Sequence, residues 1–187
     1  MTTETGALRP EQAEALRTIL WETCGEMLEA CGVSASPIEV TPAVTFSERH
    51  IAGFIGFTGA VRGSLVLAAS SGLFRATYPL GAEFGRQAGM SDLMDWAGEM
   101  ANQTLGRIKR HFCARGVDFD TSTPTAVNGR HIAGRSGPRQ GVFELAFQAA
   151  NEVVSIGFEI MVPSDGVIFH TPAEPIACSA EGELVMF

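Results

Sequence analysis

Positive charge is scarce in this sequence. Its 187 residues hold 13 lysines and arginines against 21 aspartates and glutamates, which gives a formal net charge of −8. A protein that binds a phosphate backbone usually carries a surplus of cations, so this balance argues against a nucleic-acid partner. Long apolar runs are absent too. Leaving glycine aside, the longest covers residues 65–69, far short of the roughly 18 residues of a membrane span, and we expect no membrane partner.

Cysteine pairs at metal or redox spacing are also absent. The four cysteines (Cys24, Cys31, Cys113 and Cys178) are scattered without a C-x-x-C pair. A chain of this length can bury a core without disulfide bonds, so reduced and mostly buried thiols are expected. The first residues have neither the basic start nor the apolar segment of a secretory signal, and we expect a cytoplasmic location.

Hydrophobic spacing predicts an alternation of helices and strands. Apolar residues three and four apart predict a helix from Pro10 to about Gly32, and Ser91 is a candidate N-cap for a long helix that ends near Phe112. A short helix over residues 73–78, capped by a serine, precedes it. Strands are predicted around Pro42, in a hairpin over residues 50–69, in an extended segment over 117–127, and in a second hairpin over 143–160.

This order favours an α+β fold, with an antiparallel or mixed β-sheet and long helices packed on one face. We assign residues 1–170 to a single domain and residues 171–187 to a C-terminal extension. The extension contains two prolines, has no clear period and ends in an apolar segment. It is either a loose end or a short strand that docks on a sheet edge or a second subunit.

A polar stripe lies on the long helix, opposite its apolar face. Asp95, Glu99 and Asn102 follow one another at four- and three-residue spacing, which places them on one side of a helix, and Gly106 continues the stripe. A glycine inside a helix costs about 1 kcal/mol relative to alanine, and the close approach of another molecule would explain it. A solvated polar face with a helix-weakening glycine is the alternative interpretation.

Residues 95–106, with the sequence DWAGEMANQTLG, resemble the helix motif of the CheC/CheX/FliY family of chemotaxis phosphatases. Asp95, Glu99 and Asn102 match its spacing. Pro124 follows Asn102 after 124 − 102 − 1 = 21 residues, one fewer than in the family motif, and a one-residue deletion in a loop would account for the difference. Residues 55–73 and 122–134 resemble the family's hairpin and its post-helix strand. The first helix lacks a second E-x-x-N, which is closer to CheX than to CheC.

The resemblance implies hydrolysis of the aspartyl phosphate on a CheY-like response-regulator receiver domain. By position, Glu99 would pair with a lysine of the receiver, and the carboxamide of Asn102 would orient the attacking water. Asp95, Gly106 and Pro124 would belong to the surface that binds the partner. No cofactor of its own is implied, because the receiver brings Mg²⁺. A homodimer is also implied. The alternative is a non-catalytic module of the same family that binds a receiver as a scaffold.

Other candidate sites have simpler explanations. The basic residues Arg107, Lys109, Arg110, His111 and Arg115 could steer an acidic partner, but cations near a helix C-terminus also complement its dipole. The four histidines are dispersed without metal-ligand spacing, so we assign no metal site. The glycines of residues 53–63 lack the lysine of a phosphate-binding loop, and no serine lies in a G-x-S-x-G context.

Overall fold

The computed structural model describes residues 5–6, 8–39, 49–130 and 141–163. Within them, the helices are α1 (Pro10–Ala30), α2 (Ser71–Ala76), α3 (Gly81–Gln87) and α4 (Met90–Cys113). The strands are β1 (Thr5–Gly6), β2 (Ala35–Ile38), β3 (Arg49–Gly59), β4 (Arg62–Ser70), β5 (Phe119–Thr121), β6 (Thr125–Arg130), β7 (Val142–Ala149) and β8 (Glu152–Pro163). No described helix combines the length and apolarity needed to cross a membrane.

These strands form an eight-stranded sheet in which every pairing is antiparallel. Its path runs β2-β7-β8-β4-β3-β5, while β1 pairs with β8 and β6 pairs with β3. Both predicted hairpins are present, as β3 with β4 and β7 with β8. The predicted α+β fold is confirmed, in its antiparallel form.

The core lies between one face of the sheet and the two long helices. Alternate residues of β8 point into it, and α1 meets β7 where the Trp21 and Phe147 rings lie 4.8 Å apart at their centroids. On α4 the predicted apolar face is fully buried, as Leu93, Ala97, Met100, Thr104 and Ile108. Burial of this face fixes how α4 is rotated about its axis, and therefore which residues it presents outward.

Glycine brings α4 unusually close to the sheet. A β-carbon placed on Gly53 of β3 would lie only 2.3 Å from the carbonyl oxygen of Ala97 on α4. Any side chain at this position would collide with helix backbone, which has no flexible end to move aside. The helix therefore crosses β3 at Gly53, in the turn that carries Asp95 and Glu99.

Some of the predicted details differ in the structure. The N-cap of α4 is Gly89 and not Ser91: the backbone of Gly89 is extended, and its N–H donates to Asp92 Oδ2 at 2.8 Å. The serine cap of α2 is Ser70, which accepts from the N–H groups of Gly72 and Leu73. Helix α3 was not predicted. Of the predicted strand around Pro42, the structure describes only β2, which ends at Ile38. Residues 40–48, the 170/171 boundary and the extension 171–187 lie outside the described residues.

Candidate functional site

The polar stripe lies on the side of α4 that faces away from the sheet. Asp95 is exposed, whereas Glu99, Asn102 and Gly106 are half-buried. The stripe is therefore solvated at Asp95 and partly covered at the other three residues. These four residues occupy successive turns of one helix, so a single docked surface can contact all of them.

Glu99 is held in place by a residue of its own helix. Gln103 Nε2 donates a hydrogen bond to Glu99 Oε1 at 2.9 Å, across one turn of α4. One carboxylate oxygen of Glu99 is thus engaged, and the other oxygen has no hydrogen bond recorded within the described part of the chain. Sequence reasoning missed Gln103, although a glutamine four residues after a glutamate is a recognisable pair on a helix.

Asn102 differs from Glu99 in having no anchor. In the ranges that the structure describes, its carboxamide makes no recorded hydrogen bond to a side chain or to the backbone. A carboxamide offers an oxygen that accepts and a nitrogen that donates. Asn102 can therefore bind a water molecule through one of these groups and a partner through the other.

Pro124 packs against α4 through Gly98, on the flank of Asn102. A β-carbon on Gly98 would lie 3.6 Å from Pro124 Cβ, which is ordinary van der Waals contact. Gly98 is thus a glycine of α4 that lies against a neighbouring element, a contact that the sequence analysis did not predict, while the approach of a partner at Gly106 stays a prediction. The clue was a second glycine in the helix, four residues before Asn102.

A β-bulge positions this proline. Phe57 pairs with Thr121 of β5 and Phe54 pairs with Thr125 of β6, so two residues of β3 face three residues of the partner strand. Ser122 anchors the extra residue, because its N–H donates to Gly56 O at 2.8 Å and its Oγ accepts from Gly56 N–H at 2.9 Å. Proline has no N–H for a ladder and is tolerated at a bulge. The bulge thus sets Pro124 beside the stripe.

Cations gather at the C-terminal end of α4. Lys109 Nζ lies 3.3 Å from Asp118 Oδ1 and 5.8 Å from the centroid of the Phe119 ring. The Phe119 N–H donates to Asp118 Oδ1 at 2.8 Å; this hydrogen bond, followed by the Lys109 ammonium, holds the pKa of Asp118 below its ordinary value of 3.8. No cluster of three His, Cys, Asp or Glu side chains among the described residues could hold a metal ion.

Comparisons with known proteins agree with this architecture. A family profile described as "Chemotaxis phosphatase CheX" matches residues 51–148, which include most of β3, all of β4 and α4, and the bulge. The CheX structure from Vibrio vulnificus superposes with a TM-score of 0.66 at 22% identity, over 78% of this chain and 99% of that chain. A CheC-like superfamily protein from Shewanella sp. PV-4 gives a TM-score of 0.65 at 18% identity, over 78% and 96%.

A third structure was determined with its partner. It is the CheX-CheY-BeF3-Mg²⁺ complex from Borrelia burgdorferi, with a TM-score of 0.58 at 14% identity, over 76% of this chain and 96% of that chain. At these identities the likeness shows the fold. No curated protein sequence gives a significant match.

Proposed function

From the premise that this chain belongs to the chemotaxis phosphatase CheX family, we propose that it dephosphorylates the aspartyl phosphate of a CheY-like receiver domain. The observation that carries the proposal is the outward face of α4, where the unanchored carboxamide of Asn102 lies one turn from the Glu99 carboxylate. The partner class is supported by the CheX-CheY complex among the similar structures.

In this proposal the receiver supplies the reactive groups and Mg²⁺, and this chain supplies positioning. The oxygen of a water molecule bonds to phosphorus as the bond from phosphorus to the aspartyl oxygen breaks. The aspartate leaves as a carboxylate, and the protons of the water pass to inorganic phosphate and solvent. Such loose phosphoryl-transfer reactions depend chiefly on an aligned nucleophile and on charge stabilisation.

Asn102 is proposed to hold this water. Its Oδ1 would accept a hydrogen bond from the water while its Nδ2 donates to an oxygen of the partner's site. A carboxylate at this position would only accept, and its charge would repel the phosphoryl group. A neutral carboxamide therefore suits the task better than an acid.

Glu99 is proposed to bind a cationic side chain of the receiver. Gln103 holds one oxygen of its carboxylate, which restricts the rotamers of Glu99 and lowers the entropy lost on docking. Asp95, one turn earlier, would extend the contact. Gly106 would let the partner backbone come near, and Pro124 would form one rim of the contact surface.

The test is phosphate release from Mg²⁺-loaded, phosphorylated receivers of the source organism. Asn102→Ala should lower the maximal acceleration by about 100-fold or more, because the water loses its alignment. Glu99→Ala should chiefly raise the receiver concentration that gives half-maximal rate. The matched control is Gln87→Ala, which removes an exposed carboxamide from α3 and should behave as wild type.

Other outcomes of this test would contradict the proposal. If wild type binds the beryllofluoride-activated receiver but does not accelerate phosphate loss, the chain is a receiver-binding scaffold. If Asn102→Ala is as active as Gln87→Ala, the water is positioned elsewhere. If wild type neither binds nor accelerates with any receiver, the partner class itself is wrong.

A further inference from the structure

The outward face of α4 carries opposite charges at its two ends. Asp95 and Glu99 lie in its N-terminal half, and Arg110 follows Glu99 by 11 residues. Eleven residues make about three turns, so the two side chains leave the helix in nearly the same direction, about 16 Å apart along the axis. Asn102 and Gly106 lie between them.

Arg110 stands out from the neighbouring cations. Lys109 pairs with Asp118, Arg107 Nη1 donates to Gln103 O at 3.3 Å, and Arg115 Nη1 donates to His111 O at 2.8 Å. Arg110 is exposed, and its guanidinium makes no hydrogen bond or ion pair within residues 8–39, 49–130 and 141–163.

The helix dipole accounts for a cation at Arg110, but not for its alignment with Glu99 and Asp95 on one face of α4. It favours basic side chains in the last turn of a helix, and Arg110 and His111 lie in that turn of α4. A cation that remains solvated at one end of a contact face, with carboxylates at the other end, is suited to a partner with the complementary charge pattern.

We propose that Arg110 is a partner-binding residue, and that it contacts a patch of carboxylates on the phosphorylated receiver. The patch would lie about 12 Å along α4 from the phosphoaspartate that Asn102 addresses, since Arg110 follows Asn102 by eight residues. This inference rests on the proposed function. Two oppositely charged contacts on one face fix the direction of the receiver along the helix, because a reversed receiver would bring like charges together.

The experiment measures the affinity of full-length protein for the beryllofluoride-activated receiver at low and high salt. Arg110→Glu should weaken binding about ten-fold at low ionic strength and about two-fold near 0.5 M salt, where surface charges are screened. Arg110→Gln should lie between Arg110→Glu and wild type. The maximal rate of phosphate release at saturating receiver should not change, because Asn102 is intact.

Arg62→Glu is the matched control. It changes the net charge equally, from −8 to −8 − 2 = −10, at an exposed arginine of β4. Strand alternation places Arg62 on the sheet face opposite α4, because the face of β4 that carries Leu65 and Leu67 is buried beneath the helix. The affinity of Arg62→Glu for the activated receiver should stay within two-fold of that of wild type.

The results separate this inference from the proposed function. If Arg110→Glu binds the activated receiver as tightly as Arg62→Glu does, while wild type accelerates phosphate loss, Arg110 does not contact the receiver and this inference is wrong. If wild type binds no receiver, both proposals fail. If Arg110→Glu unfolds at a lower temperature than wild type, the receiver affinity of Arg110→Gln is compared with that of wild type instead.

Discussion

Single side chains decide how the outward face of α4 is supported, and Arg75 of α2 is a clear example. Its Nη1 donates to the carbonyl oxygens of Gly85, Arg86 and Ala88 at 3.2, 3.4 and 2.7 Å. These carbonyls belong to α3 and to the segment that leads into α4. One half-buried guanidinium therefore fixes the approach to the N-terminus of α4.

Arg75→Ala should lower the free energy of unfolding by about 2 kcal/mol, because hydrogen bonds to charged groups contribute about 1.5–3 kcal/mol and the carbonyls would lose their donor. Arg75→Lys should recover only part of this, since an ammonium is a single compact donor group. Urea unfolding followed by circular dichroism gives the values. Arg86→Ala, at an exposed arginine on α3, is the control, and equal losses in the two alanine variants would contradict the role of Arg75.

The shared face of the candidate residues on α4 could be predicted from the sequence, but the side chains that hold α4 in place could not. Asp95, Glu99 and Asn102 share a face because helix period alone dictates it. Arg75 could not be predicted, because its carbonyl partners meet it only after α3 has folded back, and α3 itself has a weak pattern with Phe84 exposed. The roles of Glu99, Asn102, Asp95, Gly106 and Pro124 in binding and chemistry stay predictions.

At the scale of elements, the contact between α4 and β3 places the site. The helix passes over β3 where Gly53 meets the backbone of Ala97, and its other flank contacts Pro124 through Gly98. The hydrophobic spacing predicted both β3 and α4. It did not predict this crossing point, because a glycine in a strand pattern indicates a close approach without naming the element that approaches.

Gly53→Ala should destabilise the protein by about 1–3 kcal/mol, since the new methyl would overlap the Ala97 carbonyl and force the helix outward. Gly157→Ala in β8 is the matched control: its β-carbon would lie 4.0 Å from Val66 Cβ, an ordinary contact. Chemical denaturation of both variants is the measurement.

At the scale of the whole molecule, the core excludes water tightly enough to change the chemistry of a thiol. Cys24 of α1 is completely buried, and the loss of hydration raises its pKa from 9.0 to about 12. Its folded-state pKa is thus above the unfolded value. The stability linked to this thiol is fully present below pH 9 and is lost as the pH rises from 9 towards 12, because only the unfolded chain releases the proton there.

Between pH 8 and 10.5, wild type should therefore lose about 2 kcal/mol more stability than Cys24→Ala or Cys24→Val, neither of which titrates. Denaturant unfolding at the two pH values measures the difference. The two variants are controls for each other, because their side chains differ in volume but both lack the titratable thiol. If all three proteins had the same pH dependence, the thiol would be ionised equally in the folded and unfolded states.

The fold class could be predicted from the sequence because strand and helix periods are local properties. The order of strands in the sheet could not, because β2 pairs with β7 across more than 100 residues of chain. The boundary at residue 170, the extension and the expected homodimer also stay predictions. An oligomer depends on a second surface, which the periodicity of one chain does not specify.

The position of β8 has a consequence for synthesis. It is the last of the described strands along the chain, yet it lies inside the sheet, between β7 and β4. A ribosome therefore releases α1, the first hairpin and α4 before the strand that joins the two halves of the sheet is available. Until then the open edge of β4 can pair with other nascent chains. We expect productive folding to wait for residue 163 to leave the exit tunnel, so the speed of translation through the second hairpin should govern the yield.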